Sequence, residues 1–322
     1  MKAIVQDTYG PADVLELRDV DPPAPGDDDV LVRVRAAGVD AGVVHLMTGT
    51  PYLVRLGFGL RAPRVRVRGM DVAGRVEAVG RNVTRFRPGD EVFGSCQGSF
   101  AEYACGRQGK FVPKPAALTF EQAAAVPISA QTALHGLRDA GKVQEGQKVL
   151  VIGAGGGVGT FAVQLAKVFG AEVTGVCGPA KADLVRSIGA DHVLDYTRED
   201  FTGRPERYDL ILDIAGNRPL SRMRRALTPR GTLVVMGGEE GGKWTGGLGR
   251  QFRAMLPSPF SGHRLRALVS LHRERDLRFL AELLEAGRFA PVVSRTYPLA
   301  EAREAVRYVS GGHAEGKVVI TV

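Results

Sequence analysis

The run Val149-Leu150-Val151-Ile152 leads straight into Gly153-Ala154-Gly155-Gly156-Gly157-Val158-Gly159, and Phe161, Val163, Leu165 and Ala166 follow in an apolar helical pattern. The β-branched run predicts a strand, the glycines a tight turn and the apolar pattern a helix. No other feature constrains the fold as much. A strand turning sharply into a helix opens a β-α-β unit, and successive units of this kind build a parallel doubly wound sheet. The turn is not a literal G-x-G-x-x-G; the register Ala154-x-Gly156-x-x-Gly159 fits best. Glycines let backbone approach a ligand closely, and a helix N-terminus offers unpaired N–H groups and partial positive charge. A dinucleotide pyrophosphate needs both, so the segment reads as a dinucleotide-binding turn; the alternative is a plain strand-to-helix connection.

Length and composition set the remaining bounds. The 322 residues suffice for two domains, and 44% apolar with 24% charged residues is ordinary for a globular chain. No run approaches the roughly 18 apolar residues of a membrane span, and Met1–Asp7 lacks a signal-peptide core. A cytoplasmic location without membrane contact is expected. Three scattered cysteines, Cys96, Cys105 and Cys177, form no disulfide framework. The net charge of +8 gathers in arginine clusters at Arg61–Arg68, Arg222–Arg225 and Arg264–Arg278. No nucleic-acid motif accompanies them, so they read as solvated faces rather than as an RNA surface.

Around the glycine turn the chain changes texture. The first third is β-rich, with strands predicted at Ala3–Val5, Val14–Leu17, Val30–Arg35 and Asp71–Gly80, and it predicts a small, strongly bent, barrel-like unit. Thr119 and Gln122 are spaced as a capping box before an Ala-rich helix. Beyond it, strands at 149–152, 172–177, 192–195, 210–213 and 231–237 alternate with helices at 160–169 and 181–188. The Gly- and Pro-rich stretch Gly241–Pro259 predicts a surface connection with a short helix around Gly249–Leu256. The tail Lys317–Val322 reads as a strand that returns to the first domain.

Chemistry enters at the end of the strand after the glycine turn. An NAD-specific site commonly carries an acid there for the ribose 2′-hydroxyl. This chain has Cys177-Gly178-Pro179-Ala180-Lys181, with no acid before Asp183. Gly178 leaves room and Lys181 can face a 2′-phosphate, so NADP(H) is favoured over NAD(H). No metal is expected, because His45, Asp40 and Asp71 have no accompanying cysteine. No G-x-S-x-G elbow is present for a serine hydrolase.

The segments Ala36–Asp40, Gly69–Gly80, Arg87–Gly94, Ala123–Pro127, the glycine turn, Gly189–Tyr196 and Gly312–Ile320 together resemble the medium-chain dehydrogenase/reductase superfamily, in its zinc-free quinone-oxidoreductase-like branch. The resemblance implies a GroES-like catalytic domain from residues 1–123 and 291–322, with a Rossmann domain, residues 124–290, inserted. It implies pyrophosphate contacts at Gly155, Gly157, Val158 and Gly159, and 2′-phosphate contacts at Gly178, Lys181 and Tyr196. Nicotinamide-side contacts are implied at Thr132, Gly237, His313 and Ala314. Zinc-dependent members carry Gly-His-Glu where this chain has Gly69-Met70-Asp71. Gly178 replaces a usual serine and Glu315 a frequent arginine, which weakens the NADP pattern. A homodimer is expected, through a sheet edge at Gly231–Gly237.

The expected activity is hydride transfer from NADPH to a quinone or an α,β-unsaturated carbonyl, a reaction that asks for no Lewis acid. Alternatives are alcohol/aldehyde interconversion, a biosynthetic enoyl reduction, or a non-catalytic NADPH-sensing or RNA-binding role. Three side chains carry candidate polar roles. Tyr52 is a donor to the substrate oxygen or a packing aromatic. His45 is a donor or proton relay, or a capped histidine. Asp40 holds ribose or a substrate hydroxyl, or orders the Gly38–Gly42 turn.

Overall fold

The computed structural model describes the chain apart from residues 217, 238–241, 243, 245, 247–248, 250–261 and 313. Two compact units are present: Met1–Gln131 with His272–Val322, and Thr132–Leu271.

The first unit is organised around the 11-residue strand Asp29–Val39. Val30, Val32 and Val34 point into the core, as the alternation requires, and from Ala36 to Val39 the strand is buried throughout. One edge pairs antiparallel with Asp71–Val79. The other edge is divided between Tyr103–Arg107 and the C-terminal strand Lys317–Thr321, so the tail does return to this unit. Register shifts at Leu31/Val32 and Val34/Ala36 mark irregularities of the kind that bend a sheet. The barrel-like expectation holds only as far as that bending. The sheet runs Val293–Pro298, Lys317–Thr321, Asp29–Val39, Asp71–Val79, Glu91–Ser95, Phe111–Pro113, and no pairing joins its two ends among the described residues. Helix Ala302–Ser310 buries Ala302, Ala305 and Val306 in one cluster with Val43, Met47, Val318 and Ile320. The expected strand at Val14–Leu17 is displaced: Ala12–Val14 is a 3-10 turn, and the strand is Glu16–Asp19, paired with Lys2–Val5.

In the second unit six parallel strands lie in the order His192–Asp195, Glu172–Cys177, Lys148–Ile152, Tyr208–Asp213, Leu227–Val235, Arg264–Ala267. Numbered along the chain this is 3-2-1-4-5-6, the Rossmann order. Helix Gly157–Val168 buries Phe161, Ala162, Leu165 and Ala166. The segment Gly231–Gly237 is not an edge, because Thr232–Val235 pair with Arg264–Ala267. The basic run beginning at Arg264 conceals that outer strand. The expected helix at 181–188 starts at Ala182, after a 3-10 turn over Pro179–Lys181. Beyond Gly249, the helix expected to Leu256 lies outside the described residues.

The first unit is larger than the expected residues 1–123 and 291–322. Ile128 donates its backbone N–H to Asp71 Oδ1 at 3.0 Å, and Gln131 bonds His272 and the Arg273 N–H. These bonds tie residues 124–131 and the start of helix Glu274–Glu285 to the first unit. No helix among the described residues is long and apolar enough to cross a membrane.

Candidate functional site

In the second unit the strand Lys148–Ile152 ends in Gly153, whose φ of +85° is a conformation that glycine alone adopts without strain. Gly156 is the N-cap of helix Gly157–Val168 and offers no capping side chain. The N–H groups of the first helical turn, at Gly157, Val158 and Gly159, therefore point past the helix end with no capping acceptor. A Cβ on Gly159 would lie 2.0 Å from the Gly153 carbonyl oxygen, so helix and turn pack backbone to backbone. Such a helix start can accept a diphosphate.

Beside this turn lies Lys181, and Tyr196 stands next to Gly178. A Cβ on Gly155 would fall 2.8 Å from Lys181 Cβ, so the lysine stem lies against the turn. A Cβ on Gly178 would sit 3.5 Å from the Tyr196 hydroxyl. Tyr196 stands at the end of His192–Asp195 next to the end of Glu172–Cys177, and its N–H bonds the Cys177 carbonyl at 3.2 Å. An acid does stand nearby: Asp195 is opposite Cys177 in the ladder. Its carboxylate accepts the Thr197 N–H and hydroxyl. Gly237 closes Leu227–Val235, its N–H on the Asp213 carbonyl at 3.3 Å. Thr132 opens the unit on helix Pro127–Leu134. Ala314 belongs to the first unit, against whose core it packs, and His313 lies outside the described residues.

In the first unit Asp40 is the N-cap of helix Ala41–Thr48, accepting the Val43 N–H at 3.2 Å through Oδ1. Its Oδ2 is buried with no hydrogen-bond partner. His45 is exposed on the same helix and its Nδ1 lies 3.1 Å from the Thr50 carbonyl oxygen. Tyr52 opens a 3-10 turn, and the Arg55 guanidinium stacks 4.6 Å from both its ring and that of Tyr9.

Asp71 is fully buried, as is Lys317, whose Nζ lies 3.6 Å from Asp71 Oδ2 and donates to Ser129 Oγ at 3.0 Å. Burial pushes the Asp71 carboxyl up to about 8; the Lys317 ammonium pulls it down and Asp40 adds to the rise. Asp71 stands among the candidate ligands in the sequence, but Lys317 and Ser129 carry no local signal of this role. Lys317 begins an apolar strand, and a lysine at a strand start reads as exposed.

These residues do not fit a catalytic zinc. Met70 offers a thioether, Asp71 is engaged by a buried ammonium and a backbone N–H, and Asp40 caps a helix. Cys96 is buried, and burial pushes its thiol up to about 12.

Next to Met70 the first unit holds a cavity of about 240 Å³. Its apolar wall comes from Val43, Leu46, Phe58, Val65 and Val67, and Arg64, Arg68 and Gln97 supply the polar groups. An apolar hollow with a few polar groups is the usual form of a small-molecule site.

Comparison with known proteins agrees with this architecture. A family model described as alcohol dehydrogenase GroES-like domain matches residues 26–116, and one described as zinc-binding dehydrogenase matches residues 188–320. A 2-methylene-furan-3-one reductase of Solanum lycopersicum is 34% identical, with 99% of this chain and 79% of the relative covered. An NADPH-dependent alkenal/one oxidoreductase, chloroplastic, of Arabidopsis thaliana is 32% identical over the same shares. The solved quinone oxidoreductase of Coxiella burnetii superposes with a TM-score of 0.86 at 28% identity, covering 100% and 99% of the two chains. Fold and site define a dinucleotide-fold protein joined to a GroES-like unit. The chain belongs to the medium-chain dehydrogenase/reductase superfamily of oxidoreductases.

Proposed function

We propose that this chain is a zinc-independent, NADPH-dependent reductase of quinones or α,β-unsaturated carbonyl compounds. The observation that carries the reading is the engagement of Asp71 and Asp40 within the protein, beside Met70. An alcohol or aldehyde oxygen asks for a Lewis acid, and no zinc ligand set stands at these positions. A carbon conjugated to a carbonyl accepts hydride with only a hydrogen-bond donor at the oxygen. The named activities of the tomato and Arabidopsis relatives support this choice of acceptor.

When bound, the reduced nicotinamide supplies the hydride. The chain supplies the rest. The N–H groups of Gly157, Val158 and Gly159 hold the diphosphate, with Gly155 keeping the approach open. Lys181 and Tyr196 meet the 2′-phosphate beside Gly178. Gly237, Thr132, His313 and Ala314 are the residues proposed near the nicotinamide. Tyr52 is the proposed donor to the carbonyl oxygen, its ring held by Arg55. His45, with Nδ1 directed at the Thr50 carbonyl, keeps Nε2 as a site for proton exchange.

The test follows loss of NADPH absorbance with 1-octen-3-one, 2-hexenal and phenanthrenequinone after dialysis against a strong zinc chelator. Turnover that survives chelation is expected. No turnover with any acceptor, together with oxidation of simple alcohols after zinc is added back, would overturn the reading.

A further inference from the structure

Arg68 is 7% exposed, and no hydrogen bond or ion pair of its side chain is present among the described residues. Its Nε is buried without a partner. The backbone around it is firmly fixed: the Arg68 N–H bonds the Ile4 carbonyl at 3.0 Å, and its carbonyl accepts the Phe100 N–H at 2.9 Å. Asp7, which pairs with the neighbouring Arg66, is shared with Arg18 as well. A guanidinium keeps its proton even when buried, so its charge cannot be shed. An Nε–H buried without an acceptor leaves its desolvation cost unrepaid, while the rest of the guanidinium faces the cavity it lines. A fold keeps such a group when something else completes it.

What completes it has room to do so. Arg68 lines the cavity of about 240 Å³, with Val43, Leu46, Phe58, Val65 and Met70. Arg64 is exposed on the same cavity, with no side-chain partner among the described residues. A planar guanidinium matches a carboxylate with two parallel N–H···O bonds. The volume lies just below the roughly 300–1,000 Å³ of sites for drug-sized molecules.

We propose that Arg68 is the anchor of a binding site for a small organic acid, an apolar body in the cavity with its carboxylate on the guanidinium. Resting on the reductase reading, this makes the substrate class an acidic enone or quinone rather than a neutral one. Arg68 is a binding and specificity residue; the reacting carbon lies elsewhere on the ligand.

Two measurements separate this site from that reading. The first is calorimetric binding of 2-naphthoate and of its uncharged analogue 2-naphthamide to the full chain. The acid is expected to bind about 10- to 100-fold more tightly. Arg68→Met should bring the ratio close to one, and Arg68→Lys should restore part of it. The melting temperature of Arg68→Met should not fall, because a buried donor without an acceptor is removed. Equal binding of acid and amide, or a ratio unchanged in Arg68→Met, overturns the proposal. The second compares NADPH oxidation by 4-oxo-2-pentenoate and by its methyl ester. A higher kcat/KM for the acid that Arg68→Met abolishes is expected. Arg68-dependent naphthoate binding without turnover of either compound would keep the site and remove the reductase reading. Turnover with no preference between acid and ester would do the reverse.

Discussion

On the proposed reading, Lys181 is the side chain that tells NADPH from NADH. Its stem lies against Gly155, on the flank of the glycine turn, and Tyr196 stands across Gly178. The proposal gives its ammonium a partner in the 2′-phosphate of NADPH and none on NADH. A charge-assisted contact of this kind is worth about 1.5–3 kcal/mol, or about 10- to 150-fold. Asp195 beside Cys177 and Gly178 in place of a hydroxyl both push toward the lower end. Lys181→Ala is therefore expected to raise the KM for NADPH about tenfold and to leave that for NADH nearly unchanged. Steady-state kinetics with both cofactors check this, and an equal loss for both would mean that the 2′-phosphate is not read at this residue.

Elements join residues that no local pattern connects, and the strands Asp71–Val79 and Lys317–Thr321 bring Asp71 to Lys317. Asp71 has a folded pKa of about 8, above the ordinary carboxylate value because of burial. The folded state thus holds this proton more tightly than the unfolded chain does. Its contribution to stability is full in acid and is lost as pH rises from about 4 through about 8. The slope for one such group is on the order of 1 kcal/mol per pH unit. Asn at this position still accepts the Ile128 N–H and does not titrate. Urea unfolding at pH 5 and pH 8 should show wild type losing stability relative to Asp71→Asn; parallel losses in both would sink the assignment. Elements such as the strand into Gly153 and the capping box at Thr119 and Gln122 were readable in sequence because their causes are local. Arg68 was not. Arg64, Arg66 and Arg68 alternate as one exposed face, yet Arg66 turns to Asp7 while Arg68 is pinned between Ile4 and Phe100. The strand Arg264–Ala267 was hidden likewise, its alternating arginines reading only as charge.

On the scale of the whole molecule the two units differ in how the chain builds them. Every strand of the parallel sheet comes from one continuous stretch, whereas the first unit needs both ends of the chain. Lys317–Thr321 lies between Val293–Pro298 and Asp29–Val39, and Val318, Val319 and Ile320 are all buried. Each such side chain contributes roughly 1.5–3 kcal/mol by burial. Three of them approach the 5–15 kcal/mol that holds a typical domain, before the lost ladder bonds are considered. A chain ending at Gly316 is therefore expected to lose the first unit and keep the second. Hydrogen exchange read by mass spectrometry would report it: protection lost across Asp29–Val39 and Asp71–Val79, and retained across Lys148–Ile152 and Tyr208–Asp213. The glycine turn would then persist in a chain with no GroES-like unit. Protection lost equally in both sets of strands would show that the inserted unit depends on the one that encloses it in sequence.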